Sequence, residues 1–232
     1  MNSSRFPGKV LFNFGENPAL EFMIKRLEFV FSRDDILVAT TVNQFDDRLC
    51  EFLNSRDIRY LRGSELDVMD RVMKSARLAG RPKIVSLTGD CPLIDPYVLE
   101  RMMDNFDKSH PDYMCNFIPP SFPDGMEIQL FTLNSLDRVG SLYLNEEEKE
   151  HTGLVFRNYS ELFSTNYEKA SPEEFFPGLG LTLDESRDAH LIGVIIDYFA
   201  PQIDFSCKEI ISFLREQPHL LSINASVERR RT

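Results

Sequence analysis

The 232-residue sequence is short of the features that mark a zinc protein, a membrane protein or a nucleic-acid binder. Its cysteines are Cys50, Cys91, Cys115 and Cys207, and none forms a CxxC pair. No histidine stands at zinc-ligand spacing beside them, which argues against a structural zinc site. Free thiols in a reducing compartment are the plain reading. Cys91 has an acid and prolines around it, so nothing activates it as a nucleophile. No apolar run reaches the roughly 18 residues of a transmembrane helix. The first residues, MNSSRFPGKV, lack the apolar core of a signal peptide. The expectation is a cytoplasmic protein with no membrane partner. Positive charge is also scarce, with 26 Lys and Arg against 37 Asp and Glu, a net charge of −11. A phosphate backbone attracts basic surfaces, so this balance argues against a nucleic-acid partner. It leaves room for a small anion held by a few local cations. The basic end, Arg229, Arg230 and Arg231, reads as a solvated terminus.

What is present is an α/β pattern on a length suited to one domain, taken as residues 1–232 with a tail over 219–232. Hydrophobic residues make up 42% of the chain, enough for a core. Short β-rich runs alternate with helical patterns over the first two thirds, the signature of βαβ units and a mostly parallel sheet with helices on both faces. Helices are predicted over 19–31, 45–54, 65–79 and 96–106. Further helices are predicted over 133–144, 146–158, 188–199 and 208–215. Strands are predicted over 36–40, 58–61, 83–87, 112–116, 161–167 and 179–183. The run 126–131, MEIQLF, suits an antiparallel or edge strand. Asp95 is a natural N-cap for the helix opened by Pro96.

Three segments carry chemistry. SSRFPGK, Ser3 to Lys9, holds two hydroxyls, a glycine and two cations. Arg5 and Lys9 suit a polyphosphate, the first as a planar fork and the second as a point charge. Gly8 permits close backbone approach. Taken alone, the segment reads more simply as a polar N-terminal loop. TGDCPLIDP, Thr88 to Pro96, places Asp90 beyond the carboxyl end of a buried strand, where open α/β sheets bind ligands. A carboxylate there suits Mg²⁺ carrying substrate phosphates; the alternative is a turn that merely ends a strand. LTLDESRD, Leu181 to Asp188, sets Asp184 after another apolar strand, as a second metal carboxylate or as the cap of a helix near Ser186.

Together SSRFPGKV, ATTVNQFDD, LRGSELDVMDR, LTGDCPLIDP, FPDGMEIQLF, KEHTGLVFRN and LTLDESRD, in this order, resemble the cytidylyltransferase family of the acylneuraminate and 3-deoxy-manno-octulosonate enzymes. The chain is similar in particular to the branch described as spore-coat polysaccharide biosynthesis cytidylyltransferase-like. The likeness runs to about the helix after Asp184 and rests on the ordered set. It implies a Rossmann-like nucleotide-diphospho-sugar transferase fold. It implies CTP and an acidic sugar as partners, Mg²⁺ as cofactor, and leaves a homodimer open. Ser3, Ser4, Arg5, Gly8 and Lys9 would hold the triphosphate. Arg62, Ser64 and Thr88 would lie near the nucleotide. Asp90 and Asp184 would take the metal, with Arg5, Lys9 and Asp90 as the catalytic set. Asn116, Asp124, Glu127 and His151 would face the sugar. The implied reaction is in-line attack of a sugar hydroxyl on the α-phosphorus of CTP, in which positioning does most of the work.

Two departures accompany the resemblance. Similar proteins carry an apolar strand ending in Gln-Ala-Arg just before the position of Met1, near the middle of the sheet, and have Gly where Asn2 stands. Without it, the neighbouring strands would expose unpaired backbone groups. After Asp184, Glu185, Ser186 and Arg187 replace the usual Thr-Pro-Glu. The rival readings are a glycosyltransferase, which commonly carries Asp-x-Asp where TGDCP has one acid, and a non-catalytic binding or scaffold protein.

Overall fold

The computed structural model describes Ser3 and residues 5–229. A hairpin of β1 (Asn13–Phe14) and β2 (Asn17–Pro18) leads into α1 (Ala19–Leu27), followed by β3 (Leu37–Thr41), α2 (Asp47–Ser55), β4 (Arg59–Gly63) and α3 (Val68–Ala79). Next come β5 (Lys83–Ser86), α4 (Pro96–Ser109), β6 (Tyr113–Cys115), β7 (Gln129–Thr132), α5 (Leu133–Val139), α6 (Glu146–Glu150) and α7 (Thr152–Asn158). The chain closes with β8 (Thr165–Tyr167), α8 (Ser186–Phe199) and α9 (Cys207–Glu216).

Alternation along two short strands shows how the layers stack. Tyr113 and Cys115 of β6 enter one apolar cluster, and Met114 between them enters the other. Leu130 and Phe131 of β7 divide the same way. Successive strand residues point to opposite faces, so the sheet is packed on both sides. Residues from α1, α4, α8 and α9 share the cluster with Met114, and residues from α3, α5 and α7 share the one with Tyr113. The second cluster is aromatic, with Tyr113 and Phe156 stacked at 4.8 Å between ring centroids.

The pairing is mixed rather than mostly parallel. β3 pairs with β4 in parallel, from Leu37 opposite Arg59 to Thr41 opposite Gly63. The order β5-β7-β6-β8 contains two antiparallel ladders around β7 and one parallel ladder between β6 and β8. Asn116 explains the reversal. Its buried amide donates to the Met126 carbonyl at 2.7 Å and accepts the Ile128 N–H at 2.8 Å. This clamp closes the turn just after β6, and β7 returns antiparallel to β6 inside the sheet, not at its edge.

A groove of about 860 Å³ separates β3 from β5. Its walls are Val38 and Val85 from the two strands, Leu20 and Ile24 from α1, and Val72 and Ala76 from α3. Among the described residues β3 pairs only with β4 and β5 only with β7. The edges facing the groove therefore have no strand partner among the described residues. This also leaves β5 half-buried where the sequence suggests a buried strand.

Other differences are local. α1 ends at Leu27, and residues 28–31 continue as tight turns. The helical pattern of 146–158 breaks at His151, whose ψ of 87° ends α6 and opens α7. The segment 179–183 runs beside residue 124 with a single bridge, Asp124 to Gly180, and forms no ladder. Gly125 sits at φ 101°, and a Cβ there would lie 2.6 Å from the Leu181 carbonyl carbon, so glycine permits this close crossing.

Candidate functional site

Four loops bring the charged residues together. Gly8, at φ 73°, opens a short 3-10 turn, Lys9–Leu11, that directs Lys9 inward. The loop after β5 is fixed from beneath by Arg26. Its fully buried guanidinium donates to the carbonyls of Leu93, Ile94, Ile203 and Phe205. Burial lowers the Arg26 pKa to about 10, which still leaves it charged. Asp95 accepts the Tyr97 N–H at 2.7 Å as the cap of α4 and the Cys207 N–H at 2.5 Å at the start of α9. The Leu183 N–H then donates to the Asp90 carbonyl at 2.8 Å, which lays the 181–184 segment alongside the loop.

This crossing brings Asp90 and Asp184 to one cation. Lys9 Nζ lies 2.6 Å from Asp90 Oδ2 and 2.9 Å from Asp184 Oδ1. Arg5 Nη2 lies 2.9 Å from Asp184 Oδ2. Burial opposes the charge on Lys9, but Asp90 and Asp184 outweigh it and hold the ammonium above its ordinary value. Burial likewise opposes the charge on Asp184, but Lys9, Arg5 and Arg229 hold its carboxyl below the usual range. Asp184 is not a helix cap. That place belongs to Glu185, which forms a reciprocal capping box with Asp188.

A pocket of about 560 Å³ opens beside these residues. Ser3, Arg5, Lys9, Thr88, Asp90 and Asp184 line one part of it, and Asn116, Asp124, Glu127 and Thr182 another. Asp124 accepts the Thr182 hydroxyl at 2.5 Å, and burial raises its carboxyl above the ordinary value. Glu127 accepts the Gly125 N–H at 2.7 Å, and burial, with Asp124 nearby, pushes its pKa to about 7. The side-chain amide of Asn116 is spent on the clamp described above. Cys91 lines the pocket, but burial pushes its thiol well above its ordinary value, and Thr88 sits 3.0 Å from the sulfur. This thiol is not activated.

Other described residues singled out in the sequence do not line this pocket. Arg62 donates to the carbonyls of Thr41 and Asn43 at 2.8 Å and pairs with Asp47 at 2.7 Å. Ser64 accepts the Asp67 N–H at 3.1 Å ahead of α3. Neither lines the pocket. His151 lines the groove between β3 and β5, which shares Thr88, Asp90, Phe117 and Gln129 with the pocket. Ser4, Arg230 and Arg231 lie outside the described residues. Arg229 is not a solvated terminus. Its side chain is 14% exposed and pairs with the fully buried Asp188. A lone basic residue in a tail gives no local signal of this, because the buried carboxylate that needs it lies 41 positions away.

The donor set fits Mg²⁺. Asp90 and Asp184 offer hard oxygens to one shared point, and Mg²⁺ usually takes one or two carboxylates and completes its shell with water and phosphate oxygens. Among the described residues no group of three or more His, Cys, Asp or Glu is placed to hold a metal. No helix among them is long and apolar enough to cross a membrane.

Comparison with known proteins identifies the family. Residues 1–214 match the cytidylyltransferase family model. The chain is 31% identical over 224 residues to the spore coat polysaccharide biosynthesis protein SpsF of Bacillus subtilis, covering 94% of this chain and 92% of that one. It is 36% identical over 104 residues to a 3-deoxy-manno-octulosonate cytidylyltransferase of Anaeromyxobacter, covering 44% and 41% of the two chains. A solved cytidylyltransferase from Leptospira borgpetersenii superposes with a TM-score of 0.87 at 29% identity, covering 100% of this chain and 95% of its own. The chain belongs to the cytidylyltransferase family and is a CTP-using nucleotidyltransferase.

Proposed function

We propose that the protein transfers a cytidylyl group from CTP to a hydroxyl of an acidic sugar, with Mg²⁺ as cofactor and pyrophosphate as the second product, in the synthesis of a surface polysaccharide or other glycan. The observation that carries this reading is the meeting of Arg5 and Lys9 with Asp90 and Asp184 at one mouth of the pocket. Two cations suit a triphosphate, and two carboxylates suit the ion that accompanies it. Asp90 and Asp184 would hold the Mg²⁺, which would neutralise charge on the phosphates. With the carboxylates so engaged, Lys9 and Arg5 would be free to meet the phosphate oxygens. The sugar lies against Asp124 and Glu127. Asp124 accepts from sugar hydroxyls. Glu127, with a pKa of about 7, holds a proton that it can donate to the sugar's carboxylate. The acidic sugar is supported by the octulosonate named for one relative, and the polysaccharide by the name of another.

The glycosyltransferase reading differs in the anion that it must hold. A ligand stabilises the native state according to its occupancy. CTP with Mg²⁺ should therefore raise the melting temperature more than UDP-sugars with Mg²⁺ do. Stabilisation by UDP-sugars with indifference to CTP would overturn the proposal.

A further inference from the structure

We propose that the segment 224–229 is a working part of the site, in which Arg229, acting through Asp188, positions Asp184. The inference rests on the reading of Asp184 as a ligand of the substrate's metal ion. It concerns a stretch of chain beyond the residues matched by the family model.

Asp188, on the first turn of α8, has no exposed surface. Its Oδ2 accepts the backbone N–H groups of Asp184 at 3.1 Å and Glu185 at 2.8 Å. These two bonds hold the turn from which the Asp184 side chain projects. Its Oδ1 accepts from Asn224 Nδ2 at 2.9 Å and from the Arg229 guanidinium. Burying a charged carboxylate is costly unless a counter-charge and hydrogen bonds accompany it. Asn224 and the two amides are neutral, so Arg229 supplies the cation on this network. The same guanidinium lies 3.7 Å from Asp124 and 3.9 Å from Asp184. One tail residue therefore faces three carboxylates around the pocket.

The surrounding chain is shaped to receive it. Asn224 also donates to the Gly180 carbonyl at 2.8 Å, Arg187 pairs with the Ser226 hydroxyl, and Arg5 donates to the Glu228 carbonyl at 2.8 Å. A Cβ at Gly180 would meet the Arg229 guanidinium at 2.1–2.4 Å, so the bare backbone there leaves the space that the guanidinium fills. Without Arg229, Asp188 would lose its counter-charge and the Asp184 turn its fixed acceptor. The contacts of Arg5 and Lys9 with the triphosphate would remain. The expected signature is a loss in turnover rather than in CTP binding.

The test uses the full chain with Arg229→Gln, Arg229→Lys and Gly180→Ala. Amide exchange at Asp184 and Glu185 is followed by NMR, alongside pyrophosphate release. R229Q should speed exchange at both amides and lower kcat by about 10-fold or more, as loss of a metal-site supporting partner usually does. KM for CTP should stay within about twofold. R229K should restore most of the rate. G180A, which displaces the guanidinium but keeps it, should show the same pattern more weakly and serves if R229Q fails to fold. Faster exchange with unchanged kcat, or unchanged exchange, would overturn the proposal. If the unsubstituted chain releases no pyrophosphate, the cytidylyl-transfer reading fails. The exchange arm then decides alone: faster exchange in R229Q upholds the positioning network, and equal exchange ends it.

Discussion

Lys9 Nζ lies between Asp90 Oδ2 at 2.6 Å and Asp184 Oδ1 at 2.9 Å, so a cation of the chain holds the point where two carboxylates would share a divalent ion. On the proposed reading, metal and lysine would compete for that point. Lys9→Met should leave two carboxylates without their ammonium, and Mg²⁺ should raise the melting temperature of K9M more than that of the unsubstituted protein. CTP turnover should nevertheless fall, because the phosphates lose a donor worth roughly 1.5–3 kcal/mol. Equal Mg²⁺-induced shifts in the two proteins, read by calorimetry, would contradict the competition.

The carboxylates themselves should be indispensable. Asp90→Asn and Asp184→Asn should each cut pyrophosphate release by about 100-fold or more, the usual loss when one preorganised charge at a reacting centre is removed. Circular dichroism should show the fold intact. Near-normal turnover of either variant at limiting Mg²⁺ would remove that residue from the metal site.

Arg5 contacts Asp184 and the 228 carbonyl, and in the bound state its guanidinium is assigned to the triphosphate. Arg5→Ala should weaken CTP about tenfold, the worth of one charge-assisted hydrogen bond. Cytidine, which has no phosphates, should bind almost unchanged. Titration calorimetry separates the two, and equal losses would count against the assignment.

Glu127 makes the pH dependence specific. Burial raises its pKa from 4.5 to about 7 in the folded protein. The folded state therefore holds this proton where the unfolded state has released it. The stability that goes with it is full below about pH 4.5 and declines as pH rises to about 7, with a total of about 3 kcal/mol. Glu127→Gln cannot ionise, so its stability should gain on that of the unsubstituted protein across this window. Parallel urea-unfolding stabilities of the two proteins from pH 5 to 8 would contradict a buried, titrating Glu127.

The parts legible in the sequence were those fixed by neighbours along the chain. The apolar runs of β3 and β5, the helix opened by Pro96 and the cap at Asp95 each follow from local pattern. The paired approach of Asp90 and Asp184 was suggested by two acids after two apolar runs. The structure realises it through one backbone bond, Leu183 to Asp90. What stayed hidden depends on partners far away in sequence. The interior, antiparallel place of β7 follows from the Asn116 clamp, and the break at His151 splits a continuous helical pattern. The ion pair of Arg229 with Asp188 joins a tail to a helix start, and neither residue carries a mark of the other.

The most direct test of the account is the fate of the α-phosphorus of CTP. The protein is incubated with Mg²⁺, CTP labelled at the α-phosphate and 3-deoxy-manno-octulosonate or another 2-keto acid sugar. The account predicts that label moves into a sugar-linked CMP and that unlabelled pyrophosphate appears in equal amount, with Asp90→Asn inactive. Label that stays in CTP across the acidic sugars while UDP-sugars are consumed under the same conditions would contradict it.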